Sequence, residues 1–114
     1  MDKTFKNFEY STVLPFAEQT AYMPGQVVSK TIAQNENVSI TLFAFDKDEE
    51  IGTHSSDGDA LVVALDGEGE VAVDEEKFTL KKGESILMPS GRPHSVYATE
   101  RFKMFLVVLF PKKS

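Results

Sequence analysis

A chain of 114 residues and 12.7 kDa has material for one hydrophobic core but not for two. Its 18 acidic and 12 basic residues leave a net charge of −6, which gives nucleic acid or an anionic membrane no electrostatic footing, so neither is expected as a partner. No cysteine is present, which excludes disulfides, thiolate metal sites and a cysteine nucleophile and leaves any metal to His, Asp, Glu or water.

Residues 1–26 are the least regular part. Phe5, Phe8, Tyr10, Val13, Leu14, Phe16, Tyr22 and Met23 are scattered among polar residues and interrupted by Pro15 and Pro24-Gly25. So many large apolar groups are seldom left in water. This arm is therefore expected to pack on the body of the protein, residues 27–114, or on a second copy in a homodimer. The first six residues lack the apolar core of a signal peptide, and no apolar run approaches the ~20 residues of a membrane helix. A cytoplasmic location is the expectation.

From Val27 onward the apolar residues recur with period two, the signature of strands. Residues 27–32 and 38–43 read as a pair joined by the polar Gln34-Asn35-Glu36-Asn37. Residues 46–50 read as a solvated charged loop. Ala60 to Leu65 reads as a strand ended by Asp66-Gly67-Glu68-Gly69, whose glycines signal a turn. Residues 70–74 and 77–80 then form a hairpin over Asp74-Glu75-Glu76, followed by strands at 85–88, 95–98 and 102–110. Phe105 to Phe110 is apolar at every position, so that strand should be covered on both faces. Eight or nine short strands with regular turn signals specify an all-β antiparallel sandwich or closed barrel.

The two histidines stand out against this frame. Pro89-Ser90-Gly91-Arg92-Pro93 can neither continue a strand nor form a helix, so His94 opens a strand beside a rigid turn, a favourable place for a ligand. By strand parity His54, Ser56, Ala60 and Val62 share one face if the Ser56-Asp57-Gly58 turn keeps register, and Val96 and Ala98 share a face with His94. With Met88 they are expected to line an apolar pocket around the histidines. Ser56 as a nucleophile is less economical than a loop hydroxyl bonded to its own backbone, and Arg92 and Lys103 read as solvated charges.

The run Gly83, Pro89, Gly91, His94 resembles the second signature motif of the cupin superfamily. His54, Ser56, Ala60 and Gly67 fall where the first motif has two histidines, a glutamate and a turn glycine. The resemblance covers about residues 45–110 and implies a small single-domain cupin, an antiparallel double-stranded β-helix or jelly-roll barrel. In the family the three histidines and the glutamate hold one metal ion, whereas here Ser56 and Ala60 replace two of those ligands. His54 and His94 remain as metal-ligand candidates, with Asp59 as a third and Asp57 behind it; both aspartates need a bulge at Gly58 to turn inward. The implied function is small-molecule binding, with a divalent ion (Zn, Fe, Mn or Ni) or with none. A metal-dependent dioxygenase or isomerase and a metal-free ligand sensor are the alternatives.

Overall fold

The computed structural model describes residues 3–111; the first two and last three residues, which belong to the arm and the body as bounded above, lie outside the described residues. Eight strands form in chain order: β1 Val27–Gln34, β2 Val38–Phe45, β3 Glu50–His54, β4 Asp59–Val73, β5 Glu76–Lys81, β6 Ser85–Met88, β7 His94–Tyr97 and β8 Phe102–Leu109. Every pairing is antiparallel. The order β1-β2-β8-β4-β7-β3, with β5 and β6 also on β4, curls into a jelly-roll barrel, as the cupin resemblance implies. No helix among the described residues is long and apolar enough to cross a membrane.

The main departure from the sequence reading is β4. Asp66-Gly67-Glu68-Gly69 is not a turn: a single strand of 15 residues runs through it. Its first part pairs with β8 and β6 and its last part with β5 and β7. Between Ala64 and Asp66 the register on β8 slips by one residue, so the inward set changes from Ala60, Val62 and Ala64 to Val71. Such a bulge bends the strand and increases its twist, which carries β4 from one sheet into the other. The glycines serve close approach. Gly67 has φ +70° and lies against the Arg101 carbonyl, and a Cβ on Gly69 would come within 2.8 Å of the Phe102 ring.

The barrel interior is packed by Phe45, Val62, Val71, Phe102 and Met104, each at most 1% exposed. On the opposite face of β2 and β8, Leu42 pairs with Phe105, and the Phe16 ring lies edge-on to Phe105 at 5.1 Å with Phe8 6.1 Å beyond it. The apolar run of β8 is thus covered on its outer side at Phe105, while Leu109 is 60% exposed, so the expected cover on both faces holds for only part of the run. Burying each large side chain is worth roughly 1.5–3 kcal/mol. The arm is tied to the β1 edge by the Phe5–Ala33 bridge, by Lys6 N donating to Ile32 O at 2.9 Å and by Asn7 Nδ2 donating to Thr31 O at 3.0 Å. Further along, Tyr22 Oη donates to Asp66 at 2.6 Å.

Two further expectations need correction. The loop before β3 is not simply solvated. The Asp46 carboxylate accepts from Gly25 N, Lys47 N and Arg101 Nε at 2.7, 2.9 and 3.1 Å, and these bonds, that from Gly25 foremost, hold its acid below the usual range. Nor is Lys103 a free surface charge: it donates to Ala17 O at 2.7 Å and lies over the Tyr22 ring. Both contacts join distant segments, so local pattern carries no trace of them.

The β4 crossing has a direct test. Gly67→Ala places a Cβ in the left-handed region against the Arg101 carbonyl, and is expected to lower unfolding free energy by at least ~2 kcal/mol. Urea unfolding measures it; stability equal to wild type would contradict the crossing geometry.

Candidate functional site

His54 and His94 face each other across β3 and β7. Near the other end of that ladder Glu50 pairs with Tyr97 and Ile51 with Val96, but His54, not Thr53, pairs with His94. One extra residue is thus accommodated at Gly52-Thr53. Directly opposed residues in an antiparallel ladder share a face, so this bulge sets His54 on the same side as His94.

The turn carrying His94 is held on several sides. Gly91 N donates to Ser56 O and Ser90 N to the Asp59 carboxylate, both at 2.9 Å, while Asp74 N donates to Pro93 O at 2.8 Å. Arg92 forks onto Asp74, with Nε at 3.1 Å and Nη2 at 2.6 Å, rather than standing solvated. The Asp74 bond raises the guanidinium further above its ordinary value. The pair is exposed, so its role is geometric more than energetic.

Each imidazole is oriented by a backbone carbonyl. His54 Nδ1 lies 2.9 Å from Gly52 O and His94 Nδ1 lies 3.1 Å from Arg92 O. A carbonyl can only accept, so both Nδ1 atoms carry hydrogen and both neutral rings present a lone pair at Nε2. Those two Nε2 atoms are 3.2 Å apart. The two lone pairs converge at a spacing that one bridging metal ion fits. With metal–nitrogen bonds of ~2.0–2.1 Å, two ligands sit ~3.3–3.4 Å apart at a tetrahedral angle and ~2.8–3.0 Å apart at a right angle. The observed spacing falls between.

His94 is 5% exposed and His54 is exposed, so the pair spans from the packed interior to solvent. Burial pushes the His94 imidazole below its ordinary pKa. The Arg92 carbonyl opposes that shift and His54 adds to it.

The other candidates part company with the pair. Asp59 is exposed and its carboxylate is engaged by Ser90 N; Asp57 is exposed as well. Among the described residues no third His, Asp or Glu joins the two histidines. Asp59 opens β4 opposite the exposed Leu109, on the face away from the inward Ala60 and Val62. Ser56 Oγ donates to Gly58 O at 2.7 Å, the local turn bond expected of a loop hydroxyl. Ala60, Val62, Met88, Val96 and Ala98 are at most 3% exposed. They belong to the hydrophobic core cluster. The residues missed by the sequence reading are Gly52 and the Arg92–Asp74 fork. Only a glycine two positions before His54 hinted at the first.

A barrel of this topology with a histidine pair at its mouth defines a class, and comparison with known proteins agrees. Residues 41–110 match the family model described as "Cupin domain", and the chain belongs to that family. It is similar to a conserved protein of unknown function from Streptococcus pyogenes, at 39% identity and a TM-score of 0.95 over 98% of each chain. It is also similar to a cupin superfamily protein from Desulfitobacterium hafniense, at 30% identity and a TM-score of 0.89, covering 94% of this chain and 98% of the other. An uncharacterized protein of Aquifex aeolicus is 29% identical over 83 residues, 72% of this chain and 69% of that one.

The His94 environment predicts a pH profile. The unfolded chain takes up a proton near the ordinary histidine pKa of ~6.5, and the folded chain only at lower pH. Stability is therefore full above that value and is lost as pH falls toward the lowered pKa of His94. In chelator-treated protein, urea unfolding should weaken from about pH 7.5 to about pH 5, and His94→Gln should flatten the profile. An NMR titration placing the His94 midpoint at or above ~6.5 would contradict the assignment.

Proposed function

We propose that this cupin binds a small molecule at the barrel mouth through a divalent ion carried by Nε2 of His54 and His94. The observation that supports it is the pair of converging lone pairs 3.2 Å apart, each ring locked through Nδ1 by a carbonyl. Locking the far nitrogen to a hydrogen-bond acceptor is the usual support of a metal-binding imidazole, because it sets the tautomer and raises ligand basicity. Such an ion, when bound, supplies a Lewis-acid position for an oxygen- or nitrogen-bearing ligand. Two imidazoles favour zinc, iron or nickel over manganese, which prefers carboxylates.

The chain's own residues set the limits of the ligand. The interior beneath the pair is filled by Val96, Met88 and their neighbours, so the ligand rests over the mouth and reaches solvent on the His54 side. With two protein donors, the remaining positions belong to water and the ligand, so ion and ligand should bind cooperatively. A second reading, a metal-free ligand sensor, draws on the lack of a third protein donor among the described residues. There the ligand donates to Nε2 of the exposed His54 ring.

Elemental analysis and isothermal titration with zinc, nickel and manganese ions, on protein purified without tag, imidazole or chelator, separate the two. One ion per chain is expected, with His54→Ala and His94→Ala each lowering its affinity by more than ~100-fold while circular dichroism is unchanged. A wild type that binds no ion, or variants that bind as well as wild type, would overturn the metal-centred reading.

A further inference from the structure

The turn between β6 and β7 has no ladder of its own to hold it. Ala60 pairs with Met88 at the end of β6, and the next residue, Pro89, has no backbone N–H with which to continue the pairing. The two amides that follow find partners outside the sheet. Ser90 N donates to the Asp59 carboxylate and Gly91 N to the Ser56 carbonyl, both at 2.9 Å. Both acceptors lie in the segment that leads from His54 into β4, and Ser56 is itself shaped by its hydroxyl bond to Gly58 O at 2.7 Å. A short link therefore joins the strand end carrying one histidine to the turn carrying the other.

We infer that Asp59 is a positioning residue for the histidine pair: by holding the Ser90 amide, its carboxylate fixes the turn whose Arg92 carbonyl sets the tautomer and direction of the His94 ring. The path of contacts is continuous. Asp59 Oδ1 accepts from Ser90 N, Gly91 follows with φ +76°, and Arg92 O meets His94 Nδ1 at 3.1 Å. Without the carboxylate the turn could rotate about Ser90 and Gly91, since a glycine has no Cβ to restrict it, and the Arg92 carbonyl would swing from the ring. The imidazole would then lose its preference for hydrogen on Nδ1, and its Nε2 lone pair would no longer be held toward His54, 3.2 Å away.

The other side-chain contact on this turn does not replace it. Asp74 grips the guanidinium of Arg92, at the end of a long exposed side chain, and such a pair does little to fix the backbone that carries the carbonyl. A carboxylate accepting directly from an amide is both shorter in reach and stronger than a neutral acceptor. Asp59 opens β4 with its side chain away from the inward Ala60 and Val62, so it reaches the turn from outside and acts on the site through the backbone without touching a ring.

Heteronuclear NMR of the imidazole nitrogens, in chelator-treated full chain at neutral pH, tests it. Wild type is expected to carry hydrogen on Nδ1 of both rings. Asp59→Ala should turn His94 into a mixture of tautomers while His54, set by the Gly52 carbonyl, stays as it was; Asp59→Asn, whose amide oxygen accepts the same N–H, should restore the wild-type pattern. By titration calorimetry Asp59→Ala should weaken zinc binding by about tenfold or more, with Asp59→Asn recovering most of it. This affinity comparison rests on the metal-centred reading, whereas the tautomer comparison does not, so a wild type that binds no zinc would overturn that reading and leave the NMR result to decide the role of Asp59. If the alanine variant fails to fold, Asp59→Val, which also lacks an acceptor but suits a strand, takes its place. An unchanged His94 pattern, an asparagine variant as altered as alanine, or both rings changing together would each overturn the inference.

Discussion

Strand β4 belongs to both sheets, and the position of nearly every other element follows from it. Four of the remaining seven strands bond to it directly. A strand can serve two sheets only if it turns its inward face over partway along, and the register slip after Ala64 does this. Gly67 and Gly69 make room there for the Arg101 backbone and the Phe102 ring. Side chains at those positions would separate β4 from the start of β8, and the two halves of the barrel would lose their common strand.

The histidine pair inherits its geometry from this crossing. The last residues of β4 pair with β7, setting Val73 opposite His94, and β3 is attached through β7. The bulge at Gly52-Thr53 then exchanges Thr53 for His54 opposite His94. Because the bulge leaves the Gly52 carbonyl beside the ring it has reoriented, one local irregularity sets both the direction and the tautomer of His54. On the other strand, the pinned turn does the same for His94 through the Arg92 carbonyl. The barrel below the pair is filled by apolar side chains.

The two faces of the larger sheet carry different work. The inner face makes the core with β4 and the smaller sheet, while the outer face is covered over Phe105 by the arm and left apolar along Leu61 and Leu87. The surplus of aromatic residues in the first 26 positions is thus explained for Phe16, which covers β8 at Phe105, and for Phe8, which packs on Phe16.

What the sequence by itself determined is local. Period-two alternation identified most of the strands, their number and short links left a sandwich or a closed barrel, and the motif resemblance pointed to the barrel. The rarity and spacing of His54 and His94 singled out the two rings that the structure brings together, and Ser56 and Ala60 stand where the resemblance places two further metal ligands. Strand β3 was hidden in part because its bulge breaks the alternation that reveals strands. Only the tertiary structure decided that Asp66 to Gly69 is a crossing and not a turn, that Asp59 serves the backbone of Ser90 instead of the histidines, and that Arg92, Lys103 and Asp46 have partners. It also decided that Met88 and Val96 belong to the core cluster. The physical reason is range: alternation and turn propensity act over a few residues. A glycine beneath a carbonyl, a carboxylate capping a distant amide or two imidazoles 40 positions apart depend on which strands lie side by side, and β4 settles that only when the barrel closes.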